Sequence, residues 1–250
     1  MFDAKKEVEK IVKFIRDYYK KNNLKGVVLG ISGGKDSAVV AALFTRALGA
    51  ENVLGVKLPC HSSNQDSIDA QLVADKYGFE LINLDLTNCF DAFVKEIYKL
   101  GNFTLDNLKN SNINLKPKLR MSSLYYLAQL YSSIKGGTYI VAGTSNKCEL
   151  FVGYFTKGGD STYDIGVINN YTVDEVIKIG EYLEIPDIVI HKVPSDGLSN
   201  MSDEDKLGVK YSEITAYINH EDLDKETFKK VEKLHNNSLH KFHIPVYERK

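Results

Sequence analysis

The run GVVLGI, Gly26 to Ile31, leads directly into SGGKD, Ser32 to Asp36, and then into SAVVAALFTRAL, Ser37 to Leu48. A short β-branched run reads as a buried strand, a cluster of turn formers as a tight loop, and a long apolar stretch of good helix formers as a helix. The alternation recurs along the chain. Asn52 to Pro59 and Phe79 to Leu86 read as strands, separated by a helical stretch from Asn64 to Tyr77 that Gly78 ends. Arg120 to Ile134 reads as a helix before a strand from Thr138 to Gly143, and Ala4 to Tyr19 places Val8, Ile11, Val12, Ile15, Tyr18 and Tyr19 at helical spacing. Strands that alternate with helices need parallel crossovers. The expected fold is therefore α/β: a doubly wound, mostly parallel sheet with helices on both faces. Ligands in such sheets sit beyond the carboxyl ends of the strands. SGGKDS and GTSNKCE, which begins at Gly143, both start there. Two polar stretches, Asn102 to Lys118 and Lys192 to Glu204, show no periodicity and read as mobile loops, placed to act as lids.

A chain of 250 residues, 43% hydrophobic, suits one α/β domain with a full core. Its net charge of −1 gives no broad field for nucleic acid or membrane, so an anionic ligand has to be held by a local site. No apolar run reaches membrane-span length, and the charged start, MFDAKKEVEK, is not a signal peptide. Cys60, Cys89 and Cys148 lack metal or disulfide spacing and read as buried, reduced thiols of a cytoplasmic protein.

The loop between the first strand and its helix carries the chemistry. Adjacent Gly33 and Gly34 let the backbone approach a phosphate, and the N–H groups at the helix start point at one spot with the helix dipole behind them. Ser32 and Ser37 offer hydroxyl donors. Asp36 is out of place against an anion unless a cation stands between them, and Mg2+ binds carboxylate and phosphate oxygens together. This is neither a Walker A loop nor a G-x-G-x-x-G dinucleotide fingerprint.

SGGKDS resembles the S-G-G-x-D-S signature of the PP-loop ATP pyrophosphatases, which cleave ATP between its α- and β-phosphates. NLKPKLRM, Asn114 to Met121, and GTSNKCELFVGYFTKGGDSTYD, Gly143 to Asp164, resemble the ammonia-dependent NAD synthetases within that class. His240-Lys241 is similar to that family's C-terminal His-Lys pair, so the likeness runs from about Gly30 to Lys241. It implies an adenine nucleotide alpha hydrolase-like fold. It also implies ATP-dependent amidation of deamido-NAD to NAD by ammonia, through an adenylated intermediate, with AMP and pyrophosphate released. By this resemblance ATP is the co-substrate, held by Gly30, Ile31, Ser32, Gly33, Gly34, Lys35, Asp36, Ser37, Thr144 and Ser195. Asp36 and Glu149 are implied to hold Mg2+ and, with Lys157, to carry catalysis. Lys118, Lys157, Asp164, His240 and Lys241 are implied to contact deamido-NAD. The resemblance further implies a homodimer, and a single synthetase domain from 1 to 250 with no glutaminase domain.

Two positions depart from the family pattern. Lys118 stands where arginine is usual, losing the bidentate fork, with Arg120 as a nearby substitute. Val173 stands where the family commonly places a lysine for ATP phosphate, so either Lys35, Lys178 or a second magnesium takes that role or ATP binds less tightly. Two rival readings remain. A tRNA-modifying PP-loop enzyme would want paired cysteines and a basic surface. A non-catalytic nucleotide-binding sensor would not need the second anionic pocket that Lys157 and Asp164 describe.

Overall fold

A computed structural model describes residues 2–62, 64–192 and 202–249. Five strands form one sheet in the order β3-β2-β1-β4-β5. They are β1 (Leu24–Gly30), β2 (Val53–Lys57), β3 (Glu80–Asn83), β4 (Thr138–Gly143) and β5 (Ile165–Gly166), and every ladder is parallel. The chain passes outward from β1 through β2 to β3, then returns to place β4 on the other side of β1. The order reverses between β1 and β4, so a crevice opens at their carboxyl ends.

Helices cover both faces. On one lie α1 (Ala4–Lys21), α2 (Lys35–Leu48), α3 (Asn64–Tyr77) and α7 (Val173–Tyr182), packed with Val27 and Leu29 of β1. On the other lie α4 (Thr87–Tyr98) and α5 (Leu105–Lys135), whose Phe90, Leu127 and Ala128 meet Val28, Leu54 and Val141. The alternation of Val27, Val28 and Leu29 between faces follows from the two-residue period of a strand. Helix α2 is the central element: Ala38 to Phe44 are each at most 1% exposed. Burial around the whole circumference explains its nearly unbroken apolar sequence. Each large side chain there contributes about 1.5–3 kcal/mol of transfer free energy. Helix α1 has the expected amphipathic form, with Asp3 accepting from Lys6 N–H at its start and Val8, Ile11, Val12, Ile15 and Tyr19 buried.

A third apolar cluster joins α6 (Lys147–Val152) to α7, α10 (Tyr211–Ile218) and α11 (Lys225–Ser238) through Cys148, Val152, Val173, Ile214 and Val231. Between α7 and α10 come α8 (Asp187–Ile190) and α9 (Asp203–Leu207). No described helix is long and apolar enough to cross a membrane.

Two expectations need correction. Residues 102–118 are not a loop, because α5 runs unbroken from Leu105 to Lys135. Thr104 and Asn107 form a capping box, with Thr104 Oγ1 accepting from Asn107 N–H and Asn107 Oδ1 accepting from Thr104 N–H. Leu115 and Leu119 pack on the second core, and Pro117, a residue that removes one helical N–H, sits inside the helix. Packing outweighs both the poor helix propensity of the asparagines and the proline. Among the cysteines, Cys60 and Cys148 are buried, but Cys89 is exposed on α4. The other proposed lid, residues 192–204, lies mostly outside the described residues.

Candidate active site

The loop after β1 is organised by its own serines. Ser37 Oγ donates to the Gly34 carbonyl at 3.0 Å and accepts from Ser32 N–H at 3.2 Å. The two hydroxyl oxygens are 3.2 Å apart, and Ser32 Oγ accepts from Gly34 N–H. Helix α2 begins at Lys35, with Gly34 at the N-cap and no side-chain cap. The first N–H groups of the helix are thereby left to a ligand. Gly33 has φ +75°, and a Cβ there would lie 2.4 Å from the carbonyl oxygen of Asp66 on α3. Only glycine allows both the left-handed backbone and this close approach.

Beyond β4 the sequence SNKCE builds a second cap. Asn146, fully buried, heads α6: its Oδ1 accepts from Glu149 N–H at 3.1 Å, and its own N–H donates to Glu149 Oε2 at 3.1 Å. Its free Nδ2 donates to Asp36 Oδ1 at 3.2 Å. One residue thus ties both carboxylates, carried by two different helices, to a common point: Asp36 through its side-chain amide and Glu149 through its backbone N–H. Lys35, 6% exposed, lies 3.3 Å from Asp36 Oδ2 and beneath the Tyr211 ring. Asp203, also buried, accepts from Tyr154 Oη at 3.1 Å.

The electrostatics record the crowding. Burial, then the Asp36 charge, raise the Glu149 carboxyl well above its ordinary range, with Lys35 opposing. Burial also works against the Lys35 charge, but Asp36 and Glu149 outweigh it and raise its pKa. Burial likewise raises Tyr211, reinforced by Glu149 and Asp203. Its hydroxyl is buried with no hydrogen-bond partner. Among the described residues, no group of three or more His, Cys, Asp or Glu is arranged to hold a metal by itself.

These groups open onto a cleft of about 320 Å³ at the carboxyl ends of β1 and β4. Gly30, Ile31, Ser32, Gly34, Lys35, Asp36, Ser37, Thr144 and Glu149 all line it. Gly33 turns toward α3 and does not. Ser195 lies outside the described residues.

The residues associated with the second substrate are not gathered in the same way. Lys118 is exposed on α5 and does not line the cleft, whereas Arg120 does, its Nε donating to the Leu58 carbonyl at 3.1 Å. Lys157 is exposed and donates to the His240 carbonyl at 3.2 Å. His240 Nδ1 lies 2.9 Å from the Asn237 carbonyl. Lys241 Nζ donates to the Gly153 and Phe155 carbonyls at 2.7 and 2.8 Å, and burial lowers its pKa. Asp164 bridges Tyr125 Oη and the Val141 N–H on β4. The intervening loop does reach the cleft, through Gly159, Asp160, Thr162 and Tyr163. A Cβ on Gly159 would come within 2.9 Å of Pro117, so the loop and α5 are in close contact.

Val173 is 7% exposed in the third apolar cluster, away from the cleft. Lys178 lies over the Phe2 ring, also away from it. Sequence reasoning did not single out Asn146, Tyr154, Asp203 or Lys192. The N-x-x-E spacing of a capping box was a usable signal for Asn146. Tyr154 lies within the Gly143 to Asp164 motif, though nothing there marks its bond to Asp203; Asp203 and Lys192 sit in no pattern.

Comparison with known proteins identifies the family. The family model described as NAD synthase matches residues 7–245. An NH(3)-dependent NAD(+) synthetase of Carboxydothermus hydrogenoformans is 36% identical over 96% of this chain and 95% of its own length. Among solved structures, the NMN synthetase from Francisella tularensis is 31% identical, with a TM-score of 0.90 and full coverage of both chains. The NH3-dependent NAD synthetase from Campylobacter jejuni, also 31% identical, superposes with a TM-score of 0.79 over 99% of this chain and 100% of that one. The chain belongs to the NAD synthase family, the ligases that amidate deamido-NAD with ammonia at the expense of ATP.

Proposed function

We propose that ATP lies with its triphosphate on the Gly30 to Ser37 loop and its α-phosphate toward Asp36 and Glu149, and that these two carboxylates hold Mg2+. The observation that carries this reading is Asn146, which gathers Asp36 and Glu149 beside the loop by three hydrogen bonds. The donor set fits a hydrated divalent ion. Two carboxylates share a desolvated pocket, one raised by the other, and the Tyr211 hydroxyl is buried beside them without a partner. Such an ion supplies charge neutralisation as the α–β bond of ATP breaks.

The chain's own groups do the rest. The loop N–H groups, Ser32, Ser37 and Lys35 receive the phosphates and the departing pyrophosphate. Arg120, positioned by the Leu58 carbonyl, faces the anionic pyridine substrate in place of Lys118. A carboxylate oxygen of that substrate attacks the α-phosphorus, and the bond to the bridging oxygen breaks. Ammonia then attacks the acyl carbon, AMP leaves with the bonding pair, and the surplus proton passes to solvent. Lys157, Asp164, His240 and Lys241, none of which lines the cleft, stay assigned to deamido-NAD, and Ser195 to ATP, by the resemblance alone. Pyrophosphate release with ATP, deamido-NAD and ammonium tests the assignment. Asp36→Asn is expected to abolish release, and unchanged turnover would remove Asp36 from the site.

A second reading concerns the size of the pyridine substrate. The whole-chain likeness to the Francisella tularensis NMN synthetase favours nicotinate mononucleotide as an additional acceptor. Lys157 and Lys241, two of the three lysines implied to contact a dinucleotide, are engaged with backbone carbonyls instead, which points the same way. Measuring kcat/KM for both nucleotides separates the readings. We also carry a cytoplasmic homodimer as a proposal. Phe93, Tyr98, Tyr126, Leu130 and Ile134 are exposed on α4 and α5 and suit an apolar contact with a second copy. Light scattering at twice 28.1 kDa would support it.

A further inference from the structure

The cations lining the cleft, among the described residues, are Lys35, Lys57, Arg120 and Lys192. Lys35 is buried against Asp36, and Arg120 is tied to Leu58. Lys192 is different, because it is held by two carboxylates of unequal burial. Its Nζ lies 2.9 Å from Asp66 Oδ1 and 2.5 Å from Asp69 Oδ2. The Asp69 side chain is 3% exposed and also accepts from Gln65 Nε2 at 2.8 Å, so it is fixed. The Asp66 side chain is 31% exposed and lines the cleft. The backbone carbonyl of Asp66 is the atom against which Gly33 of the phosphate loop packs. Lys192 therefore stands at the rim of that loop, anchored by a buried acid and covered by an exchangeable one.

The geometry points to Lys192 as a further ATP-binding residue, which exchanges Asp66 for the β- and γ-phosphates while keeping Asp69 as its pivot. The chemistry follows from charge. With both acids in place the group is net negative beside a loop built for anions, and an ammonium carries three donors. A phosphate oxygen replaces one carboxylate with a denser negative charge, at little reorganisation because Asp69 keeps the side chain extended. Burial works against the Lys192 charge, but Asp69 and Asp66 outweigh it, so the group is cationic before ATP arrives. It would then hold the pyrophosphate after cleavage.

This inference rests on the ATP-binding reading, and the experiment separates the two. Steady-state pyrophosphate release is measured for the full chain, for Lys192→Gln and for Asp66→Asn. Lys192→Gln is expected to raise the KM for ATP about 10- to 100-fold, the usual loss for a hydrogen bond to a charged group. Product inhibition by added pyrophosphate should weaken in parallel, while the KM for deamido-NAD at saturating ATP stays put. Asp66→Asn frees the lysine, so its ATP KM is expected to stay level or fall. A lysine that only tethers its segment to α3 gives a different pattern, with both variants impaired alike. That pattern, or an ATP KM within twofold of the parent in Lys192→Gln, overturns the inference. An unsubstituted protein that releases no pyrophosphate overturns the underlying reading instead.

Discussion

Replacing Asn146 separates the two jobs assigned to it. The side chain caps α6 through Oδ1 and positions Asp36 through Nδ2, at 3.1 and 3.2 Å. Asn146→Ala loses both: about 0.5–2 kcal/mol for the cap and about 1.5–3 kcal/mol for the bond to a carboxylate, or about 2–5 kcal/mol together. Set against a total stability of about 5–15 kcal/mol, that is a large but survivable loss. Asn146→Ser keeps an oxygen for the cap and drops the amide donor. It should recover about 1 kcal/mol relative to alanine. Its activity should not recover, because Asp36 is still unanchored, and a carboxylate displaced by about 1 Å costs on the order of 100-fold in rate. Urea unfolding and steady-state pyrophosphate release on the three proteins measure the two effects independently. A serine variant with the parent's kcat/KM would refute the claim that Asn146 places Asp36.

Other outcomes follow from the same geometry. Glu149 has a folded pKa raised above its ordinary 4.5, so the folded state holds its proton longer; metal-free stability is full below that value and falls as pH rises through the folded pKa. Glu149→Gln should flatten the fall in melting temperature over this window, and an unchanged slope would exclude Glu149 as its source. Gly33→Ala forces a Cβ to 2.4 Å from the Asp66 carbonyl at φ +75°, so the KM for ATP should rise about tenfold or more. An alanine variant with normal ATP affinity would show that the loop is not held by α3. Lys241→Ala removes two donors from the carbonyls of Gly153 and Phe155 and should lower stability by about 1–3 kcal/mol in urea unfolding. A shift seen only in substrate affinity would instead make Lys241 a binding residue.

How far the sequence could be read depended on whether a signal was local. GVVLGI, SGGKDS and SAVVAALFTRAL each carry their own pattern, and the strand, phosphate loop and buried helix lie where that pattern puts them. The stretch from Asn102 to Lys118 failed because its helix is decided by distant contacts. Leu115 and Leu119 follow a run of asparagines and are split by Pro117, so the periodicity is faint until the second core is present. The short β5 is two residues long and has no propensity signal to detect. The site divides in the same way. Asp36 and Glu149 sit in contiguous motifs. Lys192 and Asp203 reach the cleft from segments that only the tertiary fold brings there. Lys157, His240 and Lys241 match a motif too, but their atoms are spent on backbone carbonyls, a fact no spacing reveals.

The central claim is that one cleft activates a pyridine carboxylate by cleaving ATP between its α- and β-phosphates. Quantifying AMP, pyrophosphate and amidated nucleotide in a single reaction with Mg2+, ATP, deamido-NAD and ammonium tests it most directly. The account requires the three products in equal amounts, with none formed by Asp36→Asn. Release of ADP and inorganic phosphate, or amidation that continues in Asp36→Asn, would contradict it.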